Sequence, residues 1–146
     1  MEESEMITKN KLQRSNFLRF ILAGKALVTF RNKDTGNRYT YKIKKSHDGK
    51  VYFVSVLYGS DNTSSYMYIG VIRTNRNFEW THKSKLTSED IRVRVFKYIY
   101  RHIIIGDLDE CVEIWHEGRC GRCGRILTVP ESIESGIGPV CAKELN

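Results

Sequence analysis

The feature that most constrains the fold of this chain is the placement of its cysteines. Three of the four lie in the last 27 residues: Cys120 and Cys123 in the segment WHEGRCGRCGR, and Cys141 in GIGPVCAKELN. A Cys-x-x-Cys pair supplies two thiolate ligands from one tight turn, and Gly121 and Gly124 let the backbone fold beneath a metal ion. A segment of about 35 residues cannot bury a sufficient core alone, so the spacing predicts a structural Zn²⁺ site that holds it together.

A structural zinc site needs a fourth ligand, and the residues leave two candidates. His116 lies four residues before Cys120, and Gly118 permits the chain to return toward the metal. Cys111 lies about 17 Å before His116 if the intervening strand is extended at ~3.3 Å per residue. We therefore favour His116, and Cys111 is otherwise a buried apolar cysteine. The predicted metal ligands are His116, Cys120, Cys123 and Cys141, with Cys111 as the alternative fourth ligand.

The rest of the sequence decides between a metal site and disulfide bonds. The first residues, MEESEM, are acidic and polar, which is not the pattern of a secretory signal peptide. No apolar run approaches the ~20 residues that a membrane span needs. We therefore expect a cytoplasmic protein with reduced thiols, in which clustered cysteines favour metal binding.

Upstream of the cysteines, alternating and turn patterns predict an antiparallel meander. RYTYKIK alternates strictly between apolar and polar positions, and Asp48-Gly49 is a strong hairpin signal. VYFVSVLY is apolar on both faces and is predicted to be a central strand covered on both sides. The remaining predicted strands are ALVTFR, YMYIGVI, FEW and, before the cysteine pair, CVEIW.

Two segments predict helices. SNFLRFILAGK has the apolar spacing of one short helical face. Residues 88–104 fit a strand at their start, where apolar residues alternate with arginines, and also fit one face of a helix. Their length favours the helix, with Thr87 or Ser88 near its first turn and Gly106 as its stop.

Together these patterns predict an α+β fold: a small antiparallel β-sheet with one long helix, followed by a treble-clef or zinc-ribbon-like module. Within the module, RILTVPES is predicted to be a hairpin, and Pro139 is predicted to begin the helix that carries Cys141. The expected organisation is a polar tail over residues 1–14, a basic α+β domain over 15–110 and a zinc-binding module over 111–146.

The positive charge of the chain is concentrated in its first third. The net charge is +7 overall, and residues 1–50 alone hold 12 Lys and Arg against 5 Asp and Glu. A basic region of this kind can track the phosphates of a nucleic acid, and it is also compatible with a solvated basic surface. The candidate nucleic-acid-binding residues are Arg31, Lys33, Arg38, Lys42, Lys44 and Lys45.

The C-terminal third resembles a known family. The stretch VEIWHEGRCGRCGRILTVPESIESGIGPVCA, residues 112–142, is similar to the C-terminal domain of an uncharacterised family found mainly in bacteriophage and prophage proteins. The family pattern is W-H-E-G-x-C-x-x-C-G-R-x-L-T, then P-x-S-I, then G-x-G-P-x-C. The resemblance implies zinc on His116, Cys120, Cys123 and Cys141, leaves Cys111 outside the pattern, and implies a mobile-element origin within a bacterial host cell. The upstream stretch from FRNKDTGNRYTYKIKK to YMYIGVI also resembles the N-terminal half of such proteins, so the likeness covers most of the chain. The resemblance implies no function.

The sequence lacks the residue sets of common enzymes. It has no phosphate-binding glycine loop, no carboxylate pair at convincing spacing and no nucleophile–base set. We therefore expect a non-enzymatic phage accessory protein that binds DNA or RNA, with no membrane or small-molecule partner. The alternative is a protein-binding inhibitor or adapter that acts on a host complex, for example in antiviral defence. A metal-dependent enzyme that uses Glu117 as general base is a distant third.

Overall fold

The fold is built around one six-stranded antiparallel sheet. The computed structural model describes residues 10–58, 65–128 and 130–145. The strand order is β5-β4-β3-β2-β1-β6, so the meander is continuous and β6 joins it beside β1. The predicted α+β class is confirmed. The strands are β1 (Lys25–Asn32), β2 (Arg38–Lys45), β3 (Tyr52–Leu57), β4 (Tyr66–Ile72), β5 (Phe78–Trp80) and β6 (Val112–His116).

Four α-helices accompany the sheet in the described part of the chain. A 3₁₀ turn (Arg14–Asn16) leads into the short helix α1 (Phe17–Ile21), and the long helix is α2 (Ile91–Ile105). Two short helices, α3 (Pro130–Ser135) and α4 (Pro139–Leu145), follow the cysteine pair. None of the described helices is both long enough and apolar enough to cross a membrane.

The core lies between the sheet and the long helix. Alternation along the strands directs Phe30, Tyr41, Ile43, Val54 and Val56 to one face of the sheet, and all five are almost fully buried. We call this the covered face. The α2 residue at its centre is Phe96, whose ring lies 4.9 Å from that of Tyr41 and 5.9 Å from that of Phe30. Dense aromatic packing of this kind stabilises the helix on the sheet.

The ends of α2 are set by its flanking residues. The predicted helix over this segment is confirmed, but it begins after its cap Asp90, later than the predicted start near Thr87 or Ser88. The Asp90 carboxylate accepts a hydrogen bond of 2.9 Å from the backbone N–H of Arg92. Gly106 ends the helix in the left-handed conformation, at a φ of 87° that glycine adopts without strain.

The second face of the sheet, which we call the open face, carries a mixture of cations and aromatic rings. The strand pairing places Lys42 opposite Ser55 and Lys44 opposite Phe53 on this face. Phe53 is 43% exposed. The prediction that β3 is covered on both sides is therefore wrong, because its second apolar face is left to solvent. The open face comprises Arg38, Lys42, Lys44, Phe53, Tyr66 and Tyr68.

The first described residues extend the sheet beyond β6. The N–H of Leu12 donates to the carbonyl of Ile114, and the N–H of His116 donates to the carbonyl of Asn10. Leu12 is 2% exposed. Residues 1–9 of the predicted polar tail lie outside the described residues, whereas this part of residues 1–14 is packed against the sheet. The predicted division at residue 111 likewise falls directly before a strand that belongs to the sheet.

Candidate metal centre

Three cysteine sulfurs converge beside the end of the sheet. The Sγ atoms of Cys120, Cys123 and Cys141 all lie within 4.8 Å of one another. In a tetrahedral site with Zn–S bonds of about 2.3 Å, the sulfurs stand roughly 3.8 Å apart. The observed spacing is close to that geometry, and thiolates are the donors that soft metal ions select. The three cysteines can therefore hold a metal ion.

A tight turn positions the first two cysteines. The N–H of Gly124 donates to the Cys120 carbonyl at 2.9 Å, and the N–H of Cys120 donates to the Arg125 carbonyl at 2.8 Å. Gly124 has a φ of 81°, which explains the need for glycine at this position. The turn is tied to the sheet, because the N–H of Lys25, the first residue of β1, donates to the carbonyl of Gly121 at 2.6 Å.

The third cysteine lies in the first turn of α4. The prediction that Pro139 begins this helix is confirmed, since α4 runs from Pro139 to Leu145. Proline suits this position because the first helical N–H has no intrahelical partner. The predicted RILTVPES hairpin is wrong, because its Ile126 pairs with a residue before the segment and its end is helical. One bridge joins Arg119 to Ile126, and the chain then enters α3 at Pro130.

Backbone N–H groups favour the thiolate form of the buried Cys120. Burial raises the pKa of this thiol, but hydrogen bonds from the N–H groups of Gly138, Cys123 and Arg122 outweigh burial and lower the pKa to about 7. The Gly138 N–H lies 3.3 Å from the sulfur and the Arg122 N–H 3.4 Å. For Cys141, burial and the neighbouring thiols raise the pKa. Such N–H···S bonds stabilise a metal-bound thiolate in the same way.

His116 lies outside the sulfur group. Strand β6 places it opposite Val28, and its side chain is 2% exposed. Its ring nitrogens both have partners: Nδ1 accepts from the N–H of Gly118 at 2.9 Å, and Nε2 donates to the carbonyl of Ile133 at 2.5 Å. Burial lowers the pKa of His116, which favours the neutral ring that this arrangement requires. The structure thus gives His116 the geometry of a core histidine and does not bring it to the three sulfurs.

Cys111 also lies apart from the group. It is half-buried before β6, and its sulfur lies 3.8 Å from Nδ2 of Asn32. The three clustered cysteines instead line a cavity of about 640 Å³, together with Lys25, Arg122, Glu144 and other residues of the module. Arg122 and Glu144 form an ion pair across it. No fourth Cys, His, Asp or Glu of the described chain joins the sulfurs.

The structure places the predicted nucleic-acid-binding residues at three locations. Arg31 and Arg38 are paired across β1 and β2 on the side of the open face, which also carries Lys42 and Lys44. Lys33 lies in the turn between the two strands. Lys45 has the parity of the covered face, and its amine lies 6.0 Å from the ring centroid of Tyr52.

Sequence reasoning missed the aromatic residues that share the open face. Phe53, Tyr66 and Tyr68 come from β3 and β4 and lie beside the lysines of β2. Tyr39 and Tyr41 have the opposite parity, as the alternation in β2 predicts. Carrying that alternation across the hairpin turn would have paired Phe53 with Lys44, which is the signal that could have found this surface.

In the comparisons with known proteins, the matched region is the one that contains the candidate metal centre. A family model described as "Family of unknown function (DUF6011)" matches residues 115–146. This region contains the three cysteines, α3 and α4, and it overlaps the stretch that resembles the phage family. No curated protein and no solved structure matches the chain significantly.

Proposed function

We propose that this chain is a non-enzymatic nucleic-acid-binding protein whose C-terminal module is held by a structural Zn²⁺ ion. The observation that carries the binding role is the unpaired charge of the open face. Arg38, Lys42 and Lys44 have no salt-bridge partner among the described residues, and all three are exposed. Exposed cations on one surface attract a polyanion in a manner that weakens with salt.

The acidic groups near this surface cancel only part of its charge. Glu113 pairs with Lys11 and Arg31 at 3.0 Å each, and these two cations hold the pKa of its carboxyl below the ordinary value despite the opposing effect of burial. Glu79 pairs with Arg73 at 2.8 Å. Glu117, whose carboxylate accepts a hydrogen bond from Thr29 on the same side of the sheet, has no salt-bridge partner among the described residues and offsets one of the three cations. A net positive charge is still left on β2, where the cations are spaced along one strand.

The donor set supports zinc as the metal. Three thiolates with N–H donors around one sulfur suit Zn²⁺ better than a hard cation, which prefers oxygen ligands. The module also needs a stabilising cross-link such as a metal ion, because its two helices contain six and seven residues. Such short helices are not stable alone.

A catalytic role has less support. Glu117, the candidate general base, accepts a hydrogen bond of 2.9 Å from the hydroxyl of Thr29 on the open side of the sheet. It is not a member of the sulfur group. The proposed phage or mobile-element origin depends on the sequence resemblance alone.

Metal analysis and salt-dependent binding test the proposal together. We expect one zinc per purified wild-type chain and binding to random DNA or RNA that weakens steeply as salt rises. The double variant Lys42→Gln/Lys44→Gln should lower both the affinity and the salt slope, each lost phosphate contact contributing about 0.7–0.9 to that slope.

A matched variant distinguishes the effect of charge on the open face from the effect of the total charge of the protein. Lys83→Gln/Lys85→Gln removes the same charge from exposed residues between β5 and α2 and should bind nearly as wild type does. Zinc with no nucleic-acid binding at low salt would contradict the binding role and direct attention to a protein partner. Absence of zinc would contradict the metal assignment.

A further inference from the structure

The aromatic residues of the open face specify the proposed ligand further. Phe53 lies on an inner strand of the sheet, opposite Lys44, yet it is 43% exposed. A large apolar ring at the middle of a sheet is normally covered by another layer. Here the ring offers a flat apolar surface to solvent, next to a cation.

Two tyrosines extend this surface. The ring of Tyr68 lies 6.4 Å from that of Phe53, edge to face, and its hydroxyl accepts a hydrogen bond from Thr81 that fixes its position. The Lys42 amine lies 4.4 Å from the ring centroid of Tyr66. Rings from β3 and β4 thus lie beside amines from β2 on the open face.

We infer that the open face binds single-stranded nucleic acid, with bases stacked on Phe53 and the neighbouring tyrosines and with phosphates beside Lys42 and Lys44. This inference rests on the proposed function and names its substrate class. Base stacking on an exposed ring requires an unpaired base, because the faces of bases within a duplex are already stacked on each other. A flat sheet of rings and cations therefore favours a single strand over a double helix.

Charge favours this ligand over an apolar protein surface. An apolar partner would have to bury Arg38, Lys42 and Lys44, which have no salt-bridge partner among the described residues, and burying an unpaired charge is costly. A phosphate backbone supplies the missing anions while its bases supply flat rings. One ligand can then pair with the cations and also cover the aromatic rings.

Binding of the full-length, zinc-loaded protein to a fluorescent oligothymidine and to a duplex of equal length tests the inference. We expect wild type to bind the single strand more tightly than the duplex. Phe53→Ala should weaken single-strand binding by about tenfold, as for the loss of one stacked base, and should leave duplex binding nearly unchanged. Phe53→Trp, which keeps a stacking ring, should restore single-strand affinity.

Tyr98→Ala is the matched control, since Tyr98 is 50% exposed but belongs to α2 and not to the open face. It should bind both oligonucleotides as wild type does. If Phe53→Ala binds the single strand as tightly as Tyr98→Ala while Lys42→Gln/Lys44→Gln still weakens it, the stacking inference is overturned and the proposed function survives. If wild type binds neither oligonucleotide at low salt, both fail.

Discussion

The ring of Phe20 in α1 lies directly against Gly121 in the cysteine turn. A Cβ built at Gly121 would approach the Cδ2 and Cε2 atoms of Phe20 to 2.6 Å, and a Cβ at Gly136 would meet the same ring at 2.6 Å. Phe20 is fully buried. This ring therefore fixes the position of the cysteine turn against the helix that precedes β1, and glycine is required where the two meet.

Gly121→Ala should consequently destabilise the protein through a steric clash. We expect a loss of about 1–3 kcal/mol in the free energy of unfolding, the usual cost of overpacking a core. Urea denaturation of the zinc-loaded protein measures it. The double variant Phe20→Leu/Gly121→Ala should lose less than the sum of the two single variants, because leucine lacks the ring atoms that clash. Strict additivity would show that the contact is not the cause.

Metal stoichiometry should distinguish the clustered cysteines from the other two candidate ligands. Cys120→Ser, Cys123→Ser and Cys141→Ser should each lower zinc content strongly, whereas Cys111→Ser should retain it, since its sulfur lies outside the group. His116→Ala should also retain zinc but unfold at a lower temperature, because it leaves the Ile133 carbonyl and the Gly118 N–H without their partner. If His116→Ala lost its zinc while the protein remained folded, His116 would again be the candidate for the fourth ligand.

Two buried tyrosine hydroxyls should respond oppositely to removal. The Tyr100 hydroxyl is buried and has no hydrogen-bond partner in the described part of the chain, and burial raises the pKa of Tyr100 to about 12. Tyr100→Phe removes an unsatisfied polar group and should stabilise the fold by about 1 kcal/mol. Tyr41→Phe should destabilise it by about 1 kcal/mol, since the Tyr41 hydroxyl donates to the Arg92 carbonyl at 2.6 Å. Thermal unfolding of the pair checks both signs.

Asp90 should contribute a pH-dependent part of the stability. Its hydrogen bonds with the Arg92 side chain lower the pKa of Asp90 below the ordinary 3.8, although burial opposes this. A carboxyl whose pKa is lowered by folding stabilises the fold above its unfolded-state pKa. That stability is lost as pH falls through the lower, folded value.

Asp90→Ala should cost about 1 kcal/mol at neutral pH, as for the loss of a helix cap. Asp90→Asn can still accept the cap hydrogen bond and should cost less, but it should lack the acid-dependent loss. The free energy of unfolding of wild type, Asp90→Ala and Asp90→Asn is measured at neutral pH and again at a pH low enough to protonate the carboxyl groups. An equal acid-dependent loss in wild type and Asp90→Asn would contradict the role assigned to this carboxyl.

The sequence predicted local elements better than their environments. The strict alternation of RYTYKIK located β2, and Gly106 located the end of α2, because both signals come from neighbouring residues. VYFVSVLY is apolar on both faces, so its alternation could not reveal that Phe53 is left exposed. The small helix α3 was missed because its six residues carry no long periodicity.

The cysteines of the candidate site were predictable and the fourth ligand was not. A histidine four residues before a Cys-x-x-Cys pair has a spacing that suits metal coordination. The position of His116 in the fold is instead set by the pairing of β6 with β1, in which His116 lies opposite Val28. Because that pairing joins distant parts of the chain, it places His116 beside Phe20, at 5.8 Å between ring centroids, by a contact that local spacing does not contain.

The same pairing sets an order for folding. Val28 lies opposite Tyr41, thirteen residues along the chain, and opposite His116, eighty-eight residues along. Loop closure costs less conformational entropy over a shorter stretch of chain, so the hairpins from β1 to β5 can form before β6 docks. Until β6 docks, the outer edge of β1 exposes unpaired backbone groups to other chains. A ribosome that stalls before residue 112 would therefore leave a sheet with an open edge, and the segment with the three clustered cysteines follows directly after the strand that closes this edge.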